Sequence, residues 1–230
     1  MSISQLPANF TGVTRLFPLP NLVMFPNVMQ PLHIFEPRYV EMVEEAIRTD
    51  QLLAMSVLRP GWEPDYPGRP PVYPMVCLGK IATHAKTDDG CYNLLLLGLK
   101  RAKIRRELPP LRSFRQAELE LLEDHYSSSS AQRRENLHRQ LLDTFRAFIR
   151  RESAVQEQFD QLLTSNQISL GMLSDMVSFT LDLTLDAKFH LLEETNVDDR
   201  ASYLLDQLSE LKGSAGALRD RSFPPEFSLN

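Results

Sequence analysis

Asp89-Gly90 stands between two long apolar runs, 75–87 and 91–108, and no other feature of this 230-residue sequence restricts the fold more. An Asp-Gly pair between strand-length apolar stretches specifies a β-hairpin, because both residues accept the positive φ that a tight turn between right-twisted strands demands. Read as a two-residue loop, the turn pairs Asp88 with Cys91 and sets Cys77 opposite Ala102. That keeps Cys77 and Cys91 apart, as reduced thiols. Shorter runs at 15–19, 29–35, 52–58 and 114–122 read as further strands. Pro18, Pro20 and Pro31 mark strand edges or bulges, since each proline removes a ladder donor. Pro37 opens a helix whose Tyr39, Val43, Ala46 and Ile47 share a face. Five or six mostly antiparallel strands and one helix predict a small, partly open barrel over 13–123.

The rest of the chain has other rhythms. Residues 1–12 read as an N-terminal arm, and 124–130, with its serine run, as a linker. Helical stripes then follow over 131–212: Leu137, Leu141, Phe145 and Phe148; Val155, Phe159 and Leu162; Leu173, Met176, Val177 and Thr180; Ala201, Leu204, Leu205, Leu208 and Leu211. Each stripe must be buried against a neighbour, which predicts a helical bundle and an α+β chain overall. Asp198 is the expected N-cap of the last helix. Residues 213–230, with two glycines and Pro224-Pro225, read as a tail. Within the barrel region, 59–74 holds six prolines and two glycines, a density that no regular element survives, so it is a long surface excursion.

Few kinds of chemistry fit these residues. The formal charge is 25 − 30 = −5, which argues against a nucleic-acid coat protein. No apolar run reaches the ~20 residues of a membrane span, and the first ten residues lack a signal-peptide pattern, so the cytoplasm is expected and no membrane partner. Gly79-Lys80 lacks the upstream glycine of a phosphate loop. His33, His84, His125, His138 and His190 are isolated from one another in sequence, so neither metal nor cofactor is expected. Ser209 and Lys212 fit a bare S-x-x-K pattern, more simply read as a solvated helix end. Two contact surfaces remain. Trp62, Tyr66 and Tyr73 are rigid aromatics in the proline-rich excursion, suited to anchoring a protein partner. Arg101, Lys103 and Arg105 alternate on a strand and form a basic stripe that can track an RNA backbone, unless Glu118, Glu120, Glu123 and Asp124 neutralise it.

Several ordered motifs carry a resemblance. They are Leu16-Phe17-Pro18-Leu19-Pro20, Val23-Met24-Phe25-Pro26, and the run from Pro31 through His33, Phe35, Glu36, Pro37 and Arg38 to Tyr39. Leu78-Gly79-Lys80-Ile81-Ala82, Asp89-Gly90 and Leu97-Gly98-Leu99-Lys100-Arg101 continue the series. Together they resemble the N-terminal domain of Lon proteases, and the later helices are similar in layout to the helical extension that follows it. The resemblance implies a PUA-like β pseudobarrel with a C-terminal helical bundle, and a role in recognising polypeptide substrates. It further implies that Phe25, Leu32 and Phe35 fill the core, that Pro26 and Pro31 set turns, and that Glu36 pairs with Arg38 or caps the helix start. Neither an ATPase loop nor a matching peptidase segment is found in these residues. The expectation is therefore a stand-alone, non-enzymatic module with no catalytic residues. Its expected partners are unfolded or apolar polypeptide and a separate ATP-dependent protease, with RNA binding as the alternative.

Overall fold

The computed structural model describes residues 6–8, 10–128, 131–149, 168–213 and 228–229. They divide into two compact units, one comprising residues up to Glu123 together with the segment from Pro225, the other running from Asp124 to Pro224. In the first unit the strands are β1 (Val13–Leu19), β2 (Met29–Ile34), β3 (Leu52–Val57), β4 (Met75–Lys86), β5 (Tyr92–Glu107), β6 (Arg115–Leu122) and β7 (Ser228–Leu229). Their order is β4-β3-β1-β6-β5-β2-β7, and a further β4–β5 pairing closes the first five into a ring. Ring closure removes the open edges that a flat sheet would present. β1 runs parallel to β3, and β7 parallel to β2; the other pairings are antiparallel. Leu16, Leu52, Ala54, Val76, Leu78, Ala102, Ala117 and Leu119 fill the interior. Helix α1 (Pro37–Arg48) buries Tyr39, Met42, Val43 and Ala46. Its neighbour Arg15, almost fully buried, ties β1 to the end of α1 through Glu45 at 3.0 Å, Asp50 at 2.6 Å and Thr49 at 2.6 Å.

Three local expectations are corrected. The hairpin loop has three residues, with Thr87 N donating to Cys91 O at 2.9 Å and Gly90 at φ 87°, so Cys77 faces Arg101 instead of Ala102. The cause is Asp89, whose carboxylate accepts from Thr87 Oγ1 and from Cys91 N and so widens the turn by one residue. Both cysteines are free thiols. β1 lies between β3 and β6 and is not an edge strand. It pairs with β6 only through Val13–Leu16, and Pro18 sits opposite Ser56 of β3. Phe35 does not fill the core; it is 44% exposed, whereas Phe25 and Leu32 are buried as expected.

The second unit holds α2 (Ala131–Ile149), α3 (Leu170–Thr180), α4 (Leu185–Glu193) and α5 (Val197–Gly213). Leu141, Phe145, Leu173, Val177, Leu204 and Leu208 are its buried stripes, while the 155–162 stripe and the Phe148 side chain lie outside the described residues. Ser169 and Thr184 cap α3 and α4, accepting from Met172 N and Ala187 N at 3.2 Å each. At α5 the cap is Asn196, whose Oδ1 accepts from Asp198 N at 3.1 Å. Asp198 is thus displaced from the expected cap into the first helical turn, where it is almost fully buried. Its carboxylate accepts from Ser127 N at 3.1 Å, Ser127 Oγ at 2.7 Å and Arg134 Nε at 3.1 Å. A buried carboxylate requires such donors. It anchors the start of the segment expected to be a free linker.

Candidate functional site

β2 alternates as a half-covered strand must. Gln30, Leu32 and Ile34 are buried, while Met29, Pro31 and His33 look outward. Cross-strand partners share a face, so the outward row meets Leu97, Leu95 and Asn93 of β5, all partly buried. Met29 is 49% exposed, and Phe35, at the other end of the row, 44%. His33 stacks on Phe35 with ring centroids 6.0 Å apart and shares a 2.7 Å hydrogen bond with Asn93. The result is a sheet face with apolar ends, one polar pair in its middle and no charged side chain among these positions. Such a face suits contact with apolar side chains. The signal for it lies in Leu94-Leu95-Leu96-Leu97, four leucines that are apolar toward both faces of one strand. Alternate members, Leu94 and Leu96, are buried, which leaves Leu95 and Leu97 for the outside.

The aromatics of the proline-rich excursion are partly buried and tied to the barrel. A Leu58–Val72 bridge closes the base of the excursion, and Tyr73 N donates to Val57 O at 2.9 Å. Trp62, the sole tryptophan, meets Tyr66 edge-on at 5.1 Å. Tyr66 donates its hydroxyl to Glu36 and accepts from Arg38 Nη1 through its carbonyl at 3.1 Å. The Arg38 guanidinium pairs with Glu36 at 3.0 Å and lies over both Tyr39 and Tyr66, 4.6 and 4.7 Å from their ring centres. Glu36 thus forms the expected pair with Arg38 and makes no side-chain cap. Arg59 lies 5.5 Å from the Tyr73 ring centre. Near the far end, Arg115 donates to Pro70 O at 2.8 Å and forks onto Glu107.

Burial first, and then the hydrogen bond to Glu36, holds the Tyr66 phenol above its ordinary range. A proton kept in the folded state and lost in the unfolded chain gives stability that is complete below about pH 10 and lost as pH rises through the folded value. A step in Trp62 emission above about pH 10 is therefore expected. The step should vanish in Tyr66→Phe, and that substitution should cost about 1 kcal/mol in denaturant unfolding.

The basic stripe is rearranged. Arg101 is 2% exposed, so it does not share the solvent face expected for it with Lys103 and Arg105. A β4–β5 register shift between Leu78 and Gly79 leaves Leu99 without an opposite residue, but from Arg101 to Ile104 the alternation holds: Ala102 is interior, so Arg101 lies on the other face, across from the fully buried Cys77, where that face is covered. A second shift against β6 between Ile104 and Arg106 places Arg105 and Arg106 both outward. Arg105 pairs with Glu120 at 2.8 Å, Arg106 with Glu118 at 2.7 Å, and Lys100 with Glu123. Asp124 binds Arg200 instead. Among the described residues no group of three His, Cys, Asp or Glu side chains could hold a metal ion, and no helix is long and apolar enough to cross a membrane. Ser209 Oγ donates to Asp206 O at 2.7 Å, and the Lys212 side chain lies outside the described residues.

A closed five-strand ring with a side strand bearing an outward apolar row, accompanied by a helical unit, makes this an α+β protein. Solved structures share this architecture. The N-terminal domain of Mycobacterium avium complex Lon protease matches with a TM-score of 0.64 at 16% identity, over 86% of this chain and 98% of that one. The Lon N-terminal domain protein from Xanthomonas campestris matches at 0.57 and 19%, over 84% and 97%. The chain belongs to the ATP-dependent protease La (LON) substrate-binding domain family, whose family model matches residues 13–210. Its relatives include Lon protease 2 of Myxococcus xanthus, 24% identical over 200 residues and 86% of this chain, and Lon protease 1 of Bacillus subtilis, 25% identical over 197 residues and 86%. The chain spans 23% and 25% of their respective lengths.

Proposed function

We propose that the chain is a non-enzymatic polypeptide-recognition module that binds exposed apolar segments of unfolded protein on the outward face of β2 and β5. The observation that carries this reading is the row of Met29, Pro31, Phe35, Leu95 and Leu97, with its two ends about half exposed. Large apolar side chains left together on a surface mark an interaction site, and an extended client supplies side chains at matching alternate spacing. The family's description as a substrate-binding domain supports the same class of ligand. In this role the module holds cytoplasmic clients as an adaptor or weak chaperone, and a separate ATP-dependent protease does any cleaving. RNA binding through Arg101, Lys103 and Arg105 has less support, because Arg101 is buried and Arg105 shares its charge with Glu120.

Fluorescence anisotropy with a labelled, reduced and carboxymethylated polypeptide tests the reading. Met29→Ser combined with Leu97→Ser should weaken binding at least about tenfold, the order expected for removing two apolar anchors, with little change in melting temperature. Trp62→Ala should leave it within about twofold, well under the 1.4 kcal/mol that a tenfold change represents. The opposite pattern would move the site to the proline-rich excursion. Binding of a structured RNA that falls steeply with salt, with no polypeptide bound, would favour the basic strand.

A further inference from the structure

We propose that the outer edge of β2 is a strand-addition site for an extended segment of another polypeptide running parallel to it, and that residues 228–229 of this chain occupy the edge in cis and compete for it. The proposal deepens the polypeptide-binding reading and rests on it. On one side β2 is paired along its whole length, from Met29 opposite Leu97 to Ile34 opposite Tyr92. On the other side, among the described residues, only Leu32 and His33 have partners, and these are Ser228 and Leu229 of β7. An uncovered strand edge presents unpaired N–H and C=O groups, which is what makes it a template for another extended chain. A two-residue ladder is short beside the ~5–6 residues of an ordinary strand, so a longer incoming segment forms more main-chain hydrogen bonds than the occupant gives up.

Side chains add the selectivity. Met29 and Phe35 stand exposed at the two ends of the same stretch, and β2 from Met29 to Ile34 carries no Asp, Glu, Lys or Arg. The edge therefore suits an uncharged extended segment with apolar residues at alternate positions, the chemistry of an unfolded β-type sequence. In sequence the occupant pair Ser228-Leu229 follows Phe227, which gives apolar residues at alternate positions. An occupant supplied by the same chain acts as a tethered competitor, and the apparent affinity for an outside segment falls by the fraction of time that the edge is free.

The experiment compares the full chain with a variant carrying Ser228→Pro and Leu229→Pro, which removes whichever of the two β7 N–H groups faces β2 without touching the barrel. The probe is a fluorescein-labelled peptide with the sequence of residues 223–230. It should bind the variant about tenfold more tightly, as expected if β7 closes the edge about nine-tenths of the time. The same peptide with proline at both positions should not bind. Affinities within about twofold for the two chains, or equal binding of the proline-bearing peptide, would overturn the proposal. A concentration-dependent dimer that the double substitution dissolves would assign the occupant to a second copy and overturn occupancy in cis. The carboxymethylated polypeptide separates this proposal from the one beneath it. If it binds both chains equally and remains sensitive to Met29→Ser, only the competition fails. If it binds neither while the peptide still discriminates between them, the wider reading fails and the edge stands.

Discussion

Gly98→Ala should unfold the barrel unit more readily than any other single methyl addition there. A Cβ at Gly98 would lie 2.1 Å from the carbonyl oxygen of Phe25 and 3.1 Å from Cα of Pro26. Both are backbone atoms, so no side-chain rotation relieves the overlap. The segment must instead move away, and it is held where it is by Gly98 N donating to Val28 O and Asn27 N donating to Gly98 O, each at 2.9 Å. Displacing it also uncovers Val23, Met24 and Phe25, all buried. A clash with fixed backbone, two broken hydrogen bonds and a loosened aromatic together predict a loss of at least about 3 kcal/mol and a drop in melting temperature of roughly 10 °C. Gly90→Ala is the control: it strains a residue at φ 87° with no atom within 4 Å, and should cost only about 1 kcal/mol. Equal melting of the two variants would contradict the close approach at Gly98.

Arg200→Met should be of similar size in the helical unit. Arg200 is fully buried. Its guanidinium reaches Asp124 through two bonds, at 3.1 and 2.5 Å, donates to Glu194 O at 2.8 Å, and lies 3.8 Å from the fully buried carboxylate of Asp175. It therefore joins the entry to the unit, α3, the end of α4 and α5. A long apolar side chain in its place takes the guanidinium away from the fully buried Asp175 carboxylate, and removing one partner of a buried pair costs about 3–5 kcal/mol. Arg200→Lys keeps the charge but not the planar fork, and should recover only part of the loss. Denaturant unfolding followed by helical circular dichroism measures both, and a shift under about 1 kcal/mol for the methionine variant would show that the cluster contributes little.

Much of the fold was legible because local rules and tertiary demands agree. Asp89-Gly90 marks the hairpin, Pro37 the start of α1, and the apolar stripes of 131–212 the helices of the second unit. The misplacements have specific causes. The hairpin register moved by one because an aspartate side chain competed for turn donors, and Arg101 is buried because the face it shares with Cys77 is covered, which alternation along one strand does not reveal. Asp198 reads as a cap in any local window; it is buried because Ser127 and Arg134, distant in sequence, converge on it. The outward face of β2 and β5 was half visible, in a strand apolar toward both sides, but which side stays open depends on ring closure.

What this chain determined by its sequence alone is periodicity and punctuation: where strands, helices and turns fall, and which family's motifs they carry. Pairing between remote segments was settled only in three dimensions. Parallel β1–β3, the β4–β5 closure and β7 on the edge of β2 are contacts whose partners share no local signal. Their free energy comes from ladder bonds and burial that exist only once the whole ring has formed.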